Sequence, residues 1–380
     1  MPDKAPAPID RVIDSALADR RLVGAVVMVA QDGRPLYSRA AGLADREAAV
    51  PMREDAVFRL ASITKPIVSA VVMRLIETGV LMLDAPVTRW LPDFRPRRPD
   101  GTQAVITIAQ LLSHTAGLGY ALQETGGLYQ RMGISDGLDL VDFDLDENLR
   151  RLAEAPLFYA PGTGWRYSLA LDVLGAVVTA ATGKTLAAVV RELVTGPLGL
   201  ADTDFVAVDP ARLVTPYADG QPAPVRMTDG MAVPIWEGHV TFAPSRIHHR
   251  EAYQSGGAGL AGTAGDVLRF LEAIRTGGGP ILAPGTVATM LSDQIDPALE
   301  TRGPGWGFGY GWAVLRDPMA AGVPQSRDTI AWGGVYGHSW FVDPAKRLSV
   351  VALTNGAFEG MNGPFTQQLA SAVYETIGTH

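Results

Sequence analysis

The sequence predicts an α/β (α+β) fold: one sheet with helices on both faces, beside a mainly helical lobe. Two observations carry that prediction. Strand-like segments gather at the two ends of the chain, and the long stretch between them reads as helices and loops rich in Gly and Pro. A sheet built from both ends makes residues 9–60 and 255–380 one discontinuous α/β domain. Residues 61–254 then form the mainly helical domain, with long insertion loops. A cleft between two such lobes is a usual place for a site.

The elements follow in order. Residues 9–20 form an amphipathic helix with Val12, Ile13, Ala16 and Leu17 inward. Residues 24–30 and 36–40 read as strands around a Gln31-Asp32-Gly33 turn, a hairpin signal. Apolar residues then recur at Ile67, Val71, Val72, Leu75 and Ile76, the spacing of a buried helix. Pro66 suits its first turn, and Gly79 stops it. Helices are expected at 173–181 and 186–193 around Gly183, and at 267–274. Residues 204–254 are Pro-rich and irregular, as in an insertion or lid. Strands return at 310–315, 328–332, 339–342 and 348–354, and a last helix runs over 364–377.

Composition narrows the function. The chain has 380 residues, 47% of them hydrophobic and 19% charged, enough for a large core. A net charge of −8 and the lack of a basic stripe argue against nucleic acid as a partner. With no cysteine there is no disulfide, thiolate chemistry or Cys-ligated zinc. Met1 to Pro8 contains no apolar targeting run, and no stretch approaches a membrane span, so a cytoplasmic protein without membrane partner is expected.

Ser62-Ile63-Thr64-Lys65 is the most informative stretch. A serine hydroxyl needs a nearby base to act as a nucleophile, and helical spacing puts Lys65 beside Ser62. At a helix N-terminus, partial positive charge favours a developing anion. By themselves these residues also fit a helix-capping serine and a solvated lysine. Tyr167, after the Pro161-Gly162-Thr163-Gly164 loop, can serve as a base beside a lysine, or as a core tyrosine. Trp332-Gly333-Gly334 ends a strand with two glycines, which permits close approach of a ligand or a tight turn.

Ser62-x-x-Lys65, Tyr167-Ser168-Leu169 and Trp332-Gly333-Gly334, in this order, resemble the three motifs of the serine β-lactamase-like proteins. The segments 79–87, 111–118 and 255–260 match as well, so the resemblance covers roughly residues 10–375. It is closest to the family VIII carboxylesterases. It implies a β-lactamase-like fold, with an antiparallel sheet flanked by helices and the active site between sheet and helical lobe. Ser62 would be the nucleophile that forms an acyl-enzyme, with Lys65 and Tyr167 as the proton-transfer pair. The backbone N–H groups of Ser62 and Val335 would form the oxyanion hole. Trp332, Gly333, Gly334, Tyr120 and Leu169 would line the substrate site, with Tyr120 at its entrance. No metal or cofactor is implied, and a monomer is assumed.

Two departures from the β-lactamase pattern bear on the substrate. Leu169 stands where those enzymes have Asn, and Trp332 where they have Lys. Neither can bind an amide or a carboxylate as the replaced residue does. Both fit a small-molecule, uncharged, short-chain carboxylic ester. The alternatives are β-lactam or small-amide hydrolysis, acyl transfer to an alcohol, and a non-enzymatic sensor that deacylates slowly.

Other patterns are set aside. Gly133-Ile134-Ser135-Asp136-Gly137 fits Gly-x-Ser-x-Gly but lacks the strand before it and helix after it that a nucleophile elbow needs. Asp142-x-Asp144-x-Asp146 has Glu147 where a calcium loop needs Gly, and reads as a solvated acidic face. His114 reads as a buried hydrogen-bonding residue. His338 is either structural or in contact with substrate.

Overall fold

The computed structural model describes residues 7–378. Most of the segment read as lacking a targeting run, residues 1–6, lies outside the described residues, as do residues 379 and 380. Strands β1 (Gly24–Gln31) and β2 (Arg34–Asp45) form the expected hairpin. Asp32 and Gly33 turn it with φ of 54° and 77°, the two positive values that a two-residue type I′ turn requires. Strand β2 runs five residues beyond the expected end at Ala40, and β3 (Val50–Pro51) pairs with its far end.

Strand β4 (Val57–Arg59) leaves this sheet and pairs across the molecule with a partner from the second half of the chain. Residues 204–254 are more ordered than expected. In them β5 (Tyr217–Ala218) pairs with β6 (Val225–Arg226), and β7 (Met231–Ile235) with β8 (Gly238–Phe242). The partner of β4 is β9 (Ala261–Thr263). The strand expected at 310–315 is instead a hairpin. Its arms are β10 (Trp306–Phe308) and β11 (Ala313–Leu315), and Gly309-Tyr310-Gly311-Trp312 connects them. Gly311 has φ of 109°, and a Cβ there would lie 2.6 Å from Ser69 Oγ, so the chain cannot continue as a strand. Strands β12 (Ile330–Gly334), β13 (His338–Asp343) and β14 (Leu348–Thr354) fall close to expectation.

The main sheet is antiparallel, in the order β10-β11-β12-β13-β14-β1-β2-β3. The two ends of the chain meet where β1 pairs with β14, Met28 opposite Val351. Alternation along these strands supplies two apolar faces. Val27, Val29, Leu348, Val350 and Ala352 face the helices Pro8–Ala18 and Pro364–Gly378, which pack on each other through Ile9, Ile13, Phe365, Leu369 and Val373. Val26, Val351 and Leu353 face the other way, where the helix Ala264–Arg275 lies on β1 and β14. Each such side chain, fully buried, contributes roughly 1.5–3 kcal/mol.

The middle of the chain carries the helices Thr64–Glu77, Ile108–Leu112, Leu145–Glu154 and Ala170–Thr182. One buried apolar cluster runs from Val26 and Phe270 through Ile67 and Val71 to Leu152 and Leu171, so sheet and helices share a core. Gly183, with φ of 68°, ends the helix Ala170–Thr182 in a left-handed cap. The acidic run is a helix start: Asp144 caps Leu145–Glu154 by accepting the Glu147 N–H at 2.9 Å. Among the described residues no single helix is long and apolar enough to cross a membrane.

Candidate active site

Ser62 is fixed from three sides by segments distant in sequence. Pairing of β4 with β9 sets Val57 opposite Thr263, and the Leu60 N–H continues the contact to the Leu260 carbonyl at 2.8 Å. The Leu260 N–H in turn donates to Thr64 Oγ1 at 3.1 Å. From the third side comes the end of β12: a Cβ on Gly334 would sit 2.5 Å from the Leu60 carbonyl oxygen, so only glycine allows this approach. Between these constraints Ala61 takes φ of 45°, a strained value for a residue with a side chain. It opens a 3-10 turn, Ala61–Ile63, which leads into the helix Thr64–Glu77. Ser62 thus sits just before the α-helix instead of in its first turn. Three-residue spacing still aligns it with Lys65, because a 3-10 turn repeats every three residues.

Lys65 Nζ lies 3.2 Å from Ser62 Oγ and donates to the Gly257 carbonyl at 2.7 Å. The lysine is 1% exposed, and its ammonium lies over the rings of Tyr167 and Tyr120, 4.6 and 5.3 Å from their centroids. Tyr167 completes the group, with its hydroxyl 2.7 Å from Ser62 Oγ. Its loop is tied down by backbone bonds from Arg166 to the His114 carbonyl and from Leu169 to the Gly119 carbonyl. Gln123 Nε2 adds a bond to the Tyr167 carbonyl at 2.9 Å. Trp332 donates its indole N–H to the Tyr167 hydroxyl at 3.3 Å, and the two rings are 5.0 Å apart.

Burial shifts the titration of the groups behind this cluster toward their neutral forms. His114 is fully buried, bonded through Nδ1 to Ser168 Oγ at 3.0 Å. Burial, and then the charge of Lys65, push its pKa well below the ordinary imidazole value. Tyr120 is 4% exposed, and burial, with Tyr167 and Asp172 nearby, holds its hydroxyl protonated. Asp172 accepts the Ser255 hydroxyl at 2.6 Å; burial raises its pKa, opposed by that bond and by the charge of Lys65. His338 is 1% exposed, donates through Nε2 to the Arg59 carbonyl at 2.8 Å, and packs edge-on against Phe58. Burial pushes its pKa down to about 4. It braces the strand that precedes Ser62 and does not face the cleft.

The structure therefore brings Ser62, Lys65, Tyr167, Trp332 and Gly334 together. Gly333 is half-buried beside Trp332, and Val335, 6% exposed, follows Gly334 where β12 meets the Ser62 turn. Tyr120 forms part of the floor, in contact with the Tyr167 ring at 5.1 Å, instead of the entrance. Leu169 is 0% exposed and packs into the core at the start of the helix Ala170–Thr182, so its side chain lines no open surface. Ser135 is 2% exposed, and its hydroxyl is bonded to Asp139 and Tyr253, not to Lys65 or Tyr167. Sequence reasoning missed Gly257, Asp172 and Gln123. The Gly-rich run Ser255-Gly256-Gly257 was the available signal: a Cβ at Gly257 would lie 2.5 Å from Asp172 Oδ2 and 3.4 Å from Lys65 Nζ. Among the described residues no cluster of His, Cys, Asp or Glu could hold a metal ion.

The Ser-x-x-Lys serine is thus bonded to a tyrosine beside the end of β12. The Beta-lactamase family model matches residues 9–374. This chain belongs to that family. It has the β-lactamase-like fold, and it is similar to Esterase EstB of Burkholderia gladioli, with 62% identity over 97% of this chain and 95% of that protein. Acyltransferase calJ of Penicillium decumbens is 28% identical over 88% of this chain and 82% of its own length. Among solved structures, EstCE1, described as a hydrolase with promiscuous acyltransferase activity, superposes with a TM-score of 0.95 at 47% identity, covering 97% of each chain.

Proposed function

We propose that this protein is a serine carboxylesterase that hydrolyses short-chain esters through an acyl-enzyme on Ser62. One observation carries the reading: Ser62 Oγ is the common hydrogen-bond partner of Tyr167 Oη at 2.7 Å and Lys65 Nζ at 3.2 Å. A hydroxyl placed between a tyrosine and a lysine can pass its proton to that pair as it attacks an ester carbonyl, provided the pair carries one proton fewer than phenol plus ammonium: a phenolate beside the ammonium, or a free amine beside the phenol. The two hydroxyls exchange donor and acceptor roles by rotation, and Lys65 stays anchored to the Gly257 carbonyl meanwhile. The tetrahedral oxyanion is stabilised by the backbone N–H groups of Ser62 and Val335, an assignment that the close approach of Gly334 to Leu60 supports. The same proton then goes to the departing alkoxide. Water attacks the acyl-enzyme with Tyr167 and Lys65 acting again, which releases the acid and restores Ser62.

An ester, which has no N–H to satisfy, suits the apolar side of Trp332 better than an amide does, and the high identity to an esterase supports that choice. A second reading, acyl transfer to an alcohol, is favoured by the acyltransferase activity in the description of EstCE1. It needs only that an alcohol replaces water in the second half-reaction.

The test is steady-state hydrolysis of p-nitrophenyl butyrate by wild type, Ser62→Ala and Ser135→Ala. Many turnovers by wild type and Ser135→Ala, with background rate for Ser62→Ala, support the reading. Equal rates for wild type and Ser62→Ala would remove Ser62 from the mechanism. A single burst equal to the enzyme present would mark a slow-deacylating sensor, and faster opening of a chromogenic cephalosporin a β-lactamase.

A further inference from the structure

We infer that Arg302 forms an anion-recognition subsite on the alcohol side of the cleft, which selects esters whose alcohol part carries a carboxylate. The inference rests on the esterase reading above and names a substrate class for it. Arg302 is exposed, in the loop that leads into β10. Its guanidinium carbon lies 5.0 Å from the Trp306 ring and 6.0 Å from the Trp332 ring. Among the described residues it forms no ion pair, although Glu300 is two residues away. The neighbouring Arg316, by contrast, is committed to Asp293 and to the carbonyls of Pro297 and Leu299. Two indole faces thus hold the Arg302 cation and leave its N–H edges free.

Its place relative to the chemistry follows from a chain of contacts. The guanidinium lies over Trp332, the Trp332 indole N–H bonds to the Tyr167 hydroxyl at 3.3 Å, and that hydroxyl bonds to Ser62 Oγ at 2.7 Å. In the proposed mechanism Tyr167 helps to return the proton to the departing alcohol, so the alcohol part of the substrate lies on the Tyr167 side. Trp332 walls that side, and the Arg302 guanidinium lies 6.0 Å from its ring. A flat aryl alcohol that leaves Ser62 past Tyr167 and runs along the edge of Trp332 carries its far end toward the guanidinium. A planar, cationic fork of N–H donors matches a carboxylate there, and the stacked geometry limits the entropy lost on pairing.

The test compares two esters that differ only in charge, 4-butyryloxybenzoate and 4-butyryloxybenzamide. The kcat/KM of each is measured for wild type, Arg302→Gln and Arg302→Lys, with thermal unfolding as the check on folding. The ratio found in Arg302→Gln supplies the intrinsic reactivity difference between the two esters. The expected result is a benzoate-to-benzamide ratio about fivefold higher in wild type than in Arg302→Gln, the upper range for an exposed ion pair. Arg302→Lys should keep part of that preference, and the wild-type preference should shrink at high salt. A ratio unchanged by Arg302→Gln, or a salt-independent preference, would overturn the inference. So would a wild type that turns over p-nitrophenyl butyrate but not the benzoate ester, and that outcome leaves the esterase reading intact. A wild type that cleaves none of the three esters removes the esterase reading, and this inference with it.

Discussion

Replacing Tyr167 by Phe isolates one oxygen atom. The variant keeps the ring, and with it the contacts to His114 at 5.0 Å, Tyr120 at 5.1 Å, Trp332 at 5.0 Å and the Lys65 ammonium at 4.6 Å. It loses the bond to Ser62 Oγ and the acceptor of the Trp332 indole N–H. The cost in stability is that of one or two half-exposed hydrogen bonds, about 1 kcal/mol, so the fold should survive. The cost in rate is that of a proton-transfer group, about a hundredfold to ten-thousandfold, or roughly 2.7–5.5 kcal/mol in the barrier. Steady-state hydrolysis of p-nitrophenyl butyrate reads the rate, and urea denaturation reads the stability. A kcat within tenfold of wild type in a stable Tyr167→Phe would refute the argument. Lys65 at 3.2 Å would then suffice as the base, and the 2.7 Å contact would be a positioning bond only.

Two further outcomes follow from the packing. Gly334→Ala puts a methyl group 2.5 Å from the Leu60 carbonyl oxygen, which forces β12 away from the Ser62 turn. It should lower stability by about 1–3 kcal/mol and activity by more than the about tenfold that a merely softened fold would explain, as unfolding curves and kcat measured on the same sample will show. The second concerns His338, whose folded pKa of about 4 lies below its ordinary 6.5. The unfolded chain then binds more protons between those values. The stability due to the neutral imidazole is complete above pH 6.5 and is lost as pH falls toward 4, at up to about 1.4 kcal/mol per pH unit. His114, also pushed down by burial, adds a loss of the same sign. His338→Gln should therefore lose less stability than wild type between pH 7 and pH 5. Parallel urea midpoints would contradict this.

Much of the sheet was legible because a short apolar run between turn residues is a local signal. Residues 348–354 and 24–30 read as strands in this way, and Asp32-Gly33 announced the hairpin of β1 with β2. The strand expected at 310–315 failed because the chain turns at Gly311, and the apolar Tyr310 and Trp312 hid the turn. The ordered pairs within residues 204–254 were hidden by prolines, which are tolerated in short strands such as β7, where Pro234 is exposed. At the site, Ser62, Lys65 and Tyr167 carried a pattern, whereas Asp172 and Gln123 belong to no motif. Leu169 belongs to a motif, yet the turn into the helix Ala170–Thr182 points it into the core.

The sequence by itself determined that Ser62 and Lys65 are neighbours, because three residues of helical turn bring them together wherever the segment lies. It also determined the two apolar faces of the central strands, since side-chain direction follows from strand period. Only the tertiary structure decided what holds the lysine: the Gly257 carbonyl, 192 residues away. It likewise set Tyr167 on Ser62 across 105 residues, and Trp332 on Tyr167 across 165. Local periodicity states which way a side chain faces but not which distant segment it will meet. That is fixed by the pairing of β4 with β9 and of β1 with β14, and the candidate site lies where those pairings bring the chain together.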